Sequence, residues 1–398
     1  MTVLTAGFAA TALVAYGAGA LALTNITRSH SAPLASRFGD TTAQLFLIQQ
    51  EAQTNPGRLL AKDVEPLARR ALLTSPLDPV PLRVLALRTS SAGNEAEAAK
   101  FAALSERITR RDLPTQLLLI EQAVVANDYR LALRHYDIAL RARSDSRGVL
   151  FPILSSALAD DEIRAAVAPY VRGRANWLGE FVEFAVRDGA DGPRRIGMLL
   201  VESDAGRQAD LMRASSGTLI GLLTDQRQFA LAERLYMQMP GASSSLLGDT
   251  RFNAATTDPK LGTFAWATST EAATGASFEA TGNGKERQLR VFAGSGESGV
   301  VVRRVMRLKP GAYRLSEARS LIVGNASAAA HWNVKCVQGT APTILWTSPT
   351  TRIDYNASGA PGPIIPGNCY NQLIELVVTG GTGQQGMELL INHFTLTR

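Results

Sequence analysis

Four histidines (His30, His135, His331 and His393) and two cysteines (Cys336 and Cys369) are the nitrogen and sulfur ligands this chain offers a metal. None of them stand at a CxxC, HExxH or HxxxH spacing, the patterns that bring ligands onto one ion. No metal and no cofactor is therefore expected. The glycine-rich runs Gly294–Gly299 and Gly381–Gly383 lie between apolar alternating segments. They lack the strand-to-helix context that aims backbone N–H groups at a phosphate, and read as hairpin turns. No G-x-S-x-G elbow is present. Asp160, Asp161 and Glu162 read as acids at the positive end of a helix dipole. What remains is the polar stretch LWTSPTTRIDYNASG. Trp346 and Tyr355 offer flat apolar faces to a sugar ring, and Arg352, Asp354 and Asn356 offer hydrogen-bond partners to its hydroxyls. The chemistry that these five residues can do is reversible binding.

Between Thr41 and Met239 the apolar residues recur at helical spacing. Tyr129, Leu131, Ala132, Tyr136 and Leu140 trace one helix face, and Phe229, Leu231, Ala232 and Tyr236 repeat it 100 positions on. A second offset is shorter: Ala98 stands 34 residues before Ala132, and ARRALLTSP (Ala68–Pro76) reads as a second helix with its closing proline. Stacked helical hairpins bury their apolar faces against neighbours and leave a surface for a partner. The arginines 130, 134, 141 and 143 read as a solvated face.

Beyond Pro240 the helical period ends in PGASSSLLGDT, and residues 241–261 are expected to form a linker. From 262 to 398, eight short alternating runs separated by Gly, Asn and Pro clusters predict an antiparallel β-sandwich. They are RQLRVFAG, GVVVRRVMRL, GAYRLSE, SLIVGN, HWNVKCV, PTILWTS, QLIELVVTG and MELLINHFTLT, with Trp266 in an earlier strand. Cys336 and Cys369 flank the Pro-rich SGAPGPIIPGN; in an exported protein they would pair, the alternative being two buried thiols. Their neighbours Trp332 and Tyr370 are expected in the core.

The segment 1–27 carries no charged side chain, and Val3 to Thr24 is apolar over a length that spans a hydrocarbon core of about 30 Å. An uncleaved anchor is favoured over a signal peptide, although Ala20–Ala22 offers an A-x-A cleavage pattern. The net charge of +6 is spread over 398 residues, without the concentrated basic stripe that nucleic acid requires.

Three resemblances follow from these motifs. The segment 63–143, and more loosely 216–240, resembles tetratricopeptide repeats. Trp266, LRVF (289–292), LKPGAYRLS (308–316) and LLINHFTLT (389–397) resemble the galactose-binding-like jelly rolls of carbohydrate-binding modules. In that family the last strand often ends in an Asp-bearing segment near a structural cation, where this chain has Asn392 and His393. The whole arrangement resembles proteins of alphaproteobacterial exopolysaccharide clusters.

The fold class expected is thus α plus β multidomain: membrane anchor or signal segment 1–27, tetratricopeptide-like helical repeat domain 28–240, linker 241–261, jelly-roll β-sandwich 262–398. The resemblance implies a non-catalytic adaptor of polysaccharide assembly or export, held in the inner membrane by residues 3–24 with its soluble part in the periplasm. Its partners would be polysaccharide and a protein of the assembly machinery. A glycan-active hydrolase or lyase carrying a binding module is the alternative, and a purely structural sandwich the third reading.

Overall fold

The computed structural model describes residues 31–37, 39–142, 144–205, 208, 215–271, 273–281, 286–339, 341–349, 356–382 and 386–398. The apolar span 3–24 lies outside them, and among the described residues no helix is long and apolar enough to cross a membrane. Helices run from residue 32 to residue 248 and strands from residue 267 to residue 397. The chain forms two compact units, Met1–Leu150 and Phe151–Arg398.

In the first unit the helices Pro79–Ser91 and Leu113–Val125 start 34 residues apart, as do their partners Glu95–Ile108 and Tyr129–Ala142. The punctuation repeats at the same distance. Asp78 caps one hairpin by accepting from the Val80 N–H (3.0 Å), and Asp112 caps the next by accepting from Thr115 (3.1 Å). Each cap is followed by a proline in the first turn, where a missing N–H costs nothing. The turn between paired helices needs a left-handed residue, supplied by Gly93 (φ 80°) and then by Asn127 (φ 56°). Ala98 and Ala132 are both buried. On Tyr129–Ala142 the buried face runs through Ala132, Leu133, Tyr136, Ala139 and Leu140, while Leu131 is exposed. One position thus separates the observed stripe from the expected one. Arg130, Arg134 and Arg141 are exposed.

The second unit begins well before the change from helix to strand. Its helices Asp161–Arg172, Leu178–Arg187, Gly192–Glu202, Ser216–Asp225 and Phe229–Met237 belong with the sandwich. Residues 241–261 do not behave as a linker. Phe252 is buried in the sandwich core, with ring centroids 5.3 Å from Trp266 and 6.1 Å from Phe394. Thr250 accepts from the Leu396 N–H (2.9 Å), stapling the segment to the last strand. The Gly and Ser content that reads as flexible is overridden by these non-local contacts.

The sandwich has ten strands: β1 (Ala267–Thr268), β2 (Thr274–Ala280), β3 (Arg287–Ala293), β4 (Ser298–Met306), β5 (Gly311–Val323), β6 (Ala329–Cys336), β7 (Thr343–Thr347), β8 (Asn356–Ile365), β9 (Gln372–Thr379) and β10 (Met387–Thr397). One sheet runs β1-β4-β9-β6-β7 and the other β2-β3-β10-β5-β8, with every pairing antiparallel. GAYRLSE and SLIVGN, expected as two strands, are one: alternate burial continues along β5 as far as Arg319. Trp266 lies just before β1 and not within a strand. β8 falls in the Pro-rich stretch between the cysteines, which is not among the eight expected strands. Its prolines are tolerated because β8 is an edge strand, paired with β5 alone through two register shifts. Between the sheets Trp332 and Phe394 meet at 4.1 Å between centroids. Cys336 and Cys369 are joined in a disulfide, Cα to Cα 5.8 Å, tying the end of β6 to the turn before β9. Tyr370, expected in the core, is 58% exposed, because it follows a buried Cys369 on that turn.

Candidate functional site: a cleft on the outer face of one sheet

Strand alternation decides which side chains reach the surface of the first sheet. In VVVRRVM on β4, Val302, Arg304 and Met306 point inward, and Arg303 and Val305 point outward. Register then carries a row across the outer face: Ala267 opposite Arg303, Arg303 opposite Glu375, Glu375 opposite Asn333, Asn333 opposite Thr347. Lys335 pairs with Glu375 (2.5 Å), and the Thr347 hydroxyl donates to Asn333 Oδ1 (2.8 Å). One end of this face is roofed by the helical hairpin Ser216–Met237 and the turn Pro259–Phe264, which enclose a cleft of about 680 Å³.

The roof is fixed by close backbone approach. A Cβ on Gly217 would stand 2.5 Å from the Pro259 carbonyl oxygen, and one on Gly262 would stand 2.6 Å from that of Gly217. Gly262 also has φ 59°, a conformation that side chains disfavour. Ser216 donates to the Lys260 carbonyl (3.1 Å), and the hydroxyls of Thr224 and Thr263 are 2.9 Å apart. Arg227 donates to the Gly339 carbonyl, and Arg307 pairs with Glu233.

Inside, Val305, Leu373, Phe229 and Pro342 form apolar walls, and Thr218, Asp225, Lys260 and Arg303 supply polar groups. An apolar pocket with a few convergent polar groups is the general form of a small-ligand site. Arg304 lies at the base. Its guanidinium donates to the carbonyls of Phe264 (2.7 Å), Asp249 (2.5 Å) and Leu246 (2.6 Å), and sits 5.6 Å from the Trp266 ring centroid. Burial pulls its pKa down to about 10, so it stays charged at neutral pH. Arg303 and Lys260 make no side-chain hydrogen bond or ion pair among the described residues, and Asp225 is the single carboxylate among those lining the cleft.

Of the residues expected from sequence to bind ligand, Trp346 and Asn356 are described, and neither lines this cleft. Trp346 is on β7 opposite Val334, half-buried and packed against the edge of the inter-sheet core. The alternating PTILWTS makes a strand whose register turns the indole inward, so it is not a surface platform in a loop. Asn356 is exposed at the start of β8, opposite Ala318 in the other sheet. Arg352, Asp354 and Tyr355 lie outside the described residues. Sequence reading passed over Arg303. The available signal was the RR pair in an apolar strand, since a period of two must send one arginine inward and the other out. Asn392 and His393 are exposed on β10. Among the described residues no group of three or more His, Cys, Asp or Glu side chains is placed to hold a metal.

No protein-family profile matches the chain, and no curated protein matches it. Among solved structures it is similar to the carbohydrate-binding module TmCBM61 in complex with β-1,4-galactotriose, at 16% identity and a TM-score of 0.23 over 33% of this chain and 88% of that one. It is also similar to a structure from work on promiscuous specificity in carbohydrate-binding modules of the β-sandwich superfamily, at 13% identity and a TM-score of 0.27 over 38% of this chain and 63% of that one.

Proposed function

We propose that the protein is a non-catalytic, envelope-anchored adaptor in bacterial exopolysaccharide assembly or export, with glycan held in the cleft and a protein partner held by the helical repeats. The observation that carries the reading is the cleft itself: apolar walls suited to the C–H faces of sugar rings, with polar side chains spaced between them. A glycosidase needs two carboxyl groups flanking the scissile bond, and the described lining offers Asp225 alone, which favours binding over cleavage. The 34-residue hairpins support a tetratricopeptide-like array, whose stacked units commonly hold a partner. The Cys336–Cys369 disulfide supports an oxidising compartment, hence an inner-membrane anchor at residues 3–24 and a periplasmic body.

Gly221 provides the test. It lines the cleft, and a Cβ there would meet nothing within 4 Å. Gly221→Leu should fill the cleft without disturbing the fold. The full-length protein should be retained on immobilised polysaccharide from its own host, and the Leu variant should pass through. Equal retention of both would remove the cleft from the reading, and no retention of the wild type would remove glycan binding. Alkaline phosphatase fused after Arg398 should be active; an inactive fusion with an active cytoplasmic reporter would overturn the periplasmic assignment.

A further inference from the structure

The charge in the cleft is one-sided. Among the described residues, Arg303 and Lys260 stand at it without a side-chain partner, Arg227 donates from Nη1 to the carbonyls of Val337 and Gly339, and Arg304 lies charged beneath, against the one carboxylate of Asp225. Elsewhere on this sheet and its opposite, two outward cations are matched by carboxylates, while the exposed Arg314 donates to the Gly359 carbonyl. Lys335 has Glu375, and Arg290 has both Glu279 and Glu388. An exposed arginine left unmatched beside apolar walls costs nothing in water, and its planar fork meets a carboxylate through two parallel hydrogen bonds. We infer that the cleft takes an acidic glycan, a chain bearing uronate carboxylates, with Arg303 binding the carboxylate and Lys260 the neighbouring negative charge. The inference rests on the glycan reading and gives it a ligand class. The apolar walls and the confined volume separate this site from a nucleic-acid surface, where phosphate contacts form an extended stripe.

The test is titration of the full-length protein with trimers of galacturonate, glucuronate and mannuronate, and with the same trimers after reduction of their carboxyl groups. At least one uronate trimer should bind, its reduced form should bind at least tenfold more weakly, and raising salt from 50 to 500 mM should weaken binding several-fold. Arg303→Gln should lower affinity about tenfold and Lys260→Gln less, both with unchanged melting temperature. Equal binding of acidic and reduced trimers would overturn the acidic class while leaving the glycan reading in place. Binding by neither would overturn both. Uronate binding that neither variant weakens would show that another site is responsible. Tighter binding of a single-stranded oligonucleotide, lost in the same variants, would reassign the cleft to nucleic acid.

Discussion

The helical unit and the sandwich each bury an arginine, and they satisfy it in opposite ways. In the first unit Arg83 donates to Gln49, 34 residues earlier, and pairs with Asp112, 29 residues later, so one side chain stitches three successive hairpin elements. Asp112 is also the cap of its own helix and accepts from the Thr115 hydroxyl (2.5 Å). In the sandwich Arg319 pairs with Glu317 two residues away on β5, through bonds of 2.7 and 2.8 Å. The pair then reaches across to the other sheet, where Trp332 Nε1 donates to Glu317 (2.8 Å) and Arg319 donates to the Ala330 carbonyl (2.7 Å). Charge in the repeat array links equivalent positions of successive hairpins, about one repeat length apart. In the sandwich it joins consecutive strands, β5 and β6, that lie in opposite sheets.

The contrast breaks most sharply at Glu317. Both members of its ion pair have fully buried side chains. Glu317→Gln removes the buried carboxylate that Arg319 faces and should cost about 3–5 kcal/mol in urea unfolding followed by tryptophan fluorescence. Replacing both residues by Leu and Met should cost much less. A double variant as damaging as the single one would show that the pair stabilises the sheets and does not only specify their match.

The second cross-link between distant segments is the disulfide, which closes a loop of sequence separation 33. Cys336→Ser with Cys369→Ser should lower stability by about 3.5 to 4 kcal/mol on the chain-entropy account. Calorimetry should place the loss in the sandwich transition, with the helical transition unmoved. A shift of both transitions together would mean that the two units unfold as one.

Arg83→Met should be milder, about 2 to 3 kcal/mol, because Asp112 keeps its capping bonds and some contact with water. Hydrogen exchange should show faster opening in residues 41–125 and little change beyond 151. Uniform loss of protection would contradict a stitch that acts between neighbours.

The smallest effect belongs to Trp346. Half-buried at the edge of the core, it should cost about 2 kcal/mol when truncated to Ala. Retention on polysaccharide should be unchanged, since the cleft is lined by other residues. Lost retention with an intact fold would return the ligand site to the segment where its sequence first placed it.

Local signals were the legible ones. The 34-residue spacing could be read because caps, turns and small residues repeat within the hairpins: Asp78 and Asp112, Gly93 and Asn127, Ala98 and Ala132. Alternation located most strands and brought Cys336 within reach of Cys369. What escaped was fixed by contacts far apart in the chain. Phe252 enters the core from a Gly- and Ser-rich stretch, and Pro361 joins a sheet because the strand beside it leaves an open edge. Trp346 turns inward because a register shift between Val334 and Lys335 decides the parity of β7. Arg303 lines a cleft only because helices from residues 216–237 roof its strand.

The prolines of β8 have a consequence for the protein in bulk. Open sheet edges are templates for self-association, and a sandwich has four of them. Here β1 is two residues long, β7 is interrupted by a register shift, and β8 carries Pro361 and Pro363, which offer no N–H to a neighbouring molecule. The remaining edge, β2, is seven residues long and has no proline, and its Glu279 carries charge in an ion pair with Arg290. A protein crowded along a polymer at high local concentration would be prone to edge-to-edge fibre growth, and these edges are built to prevent it.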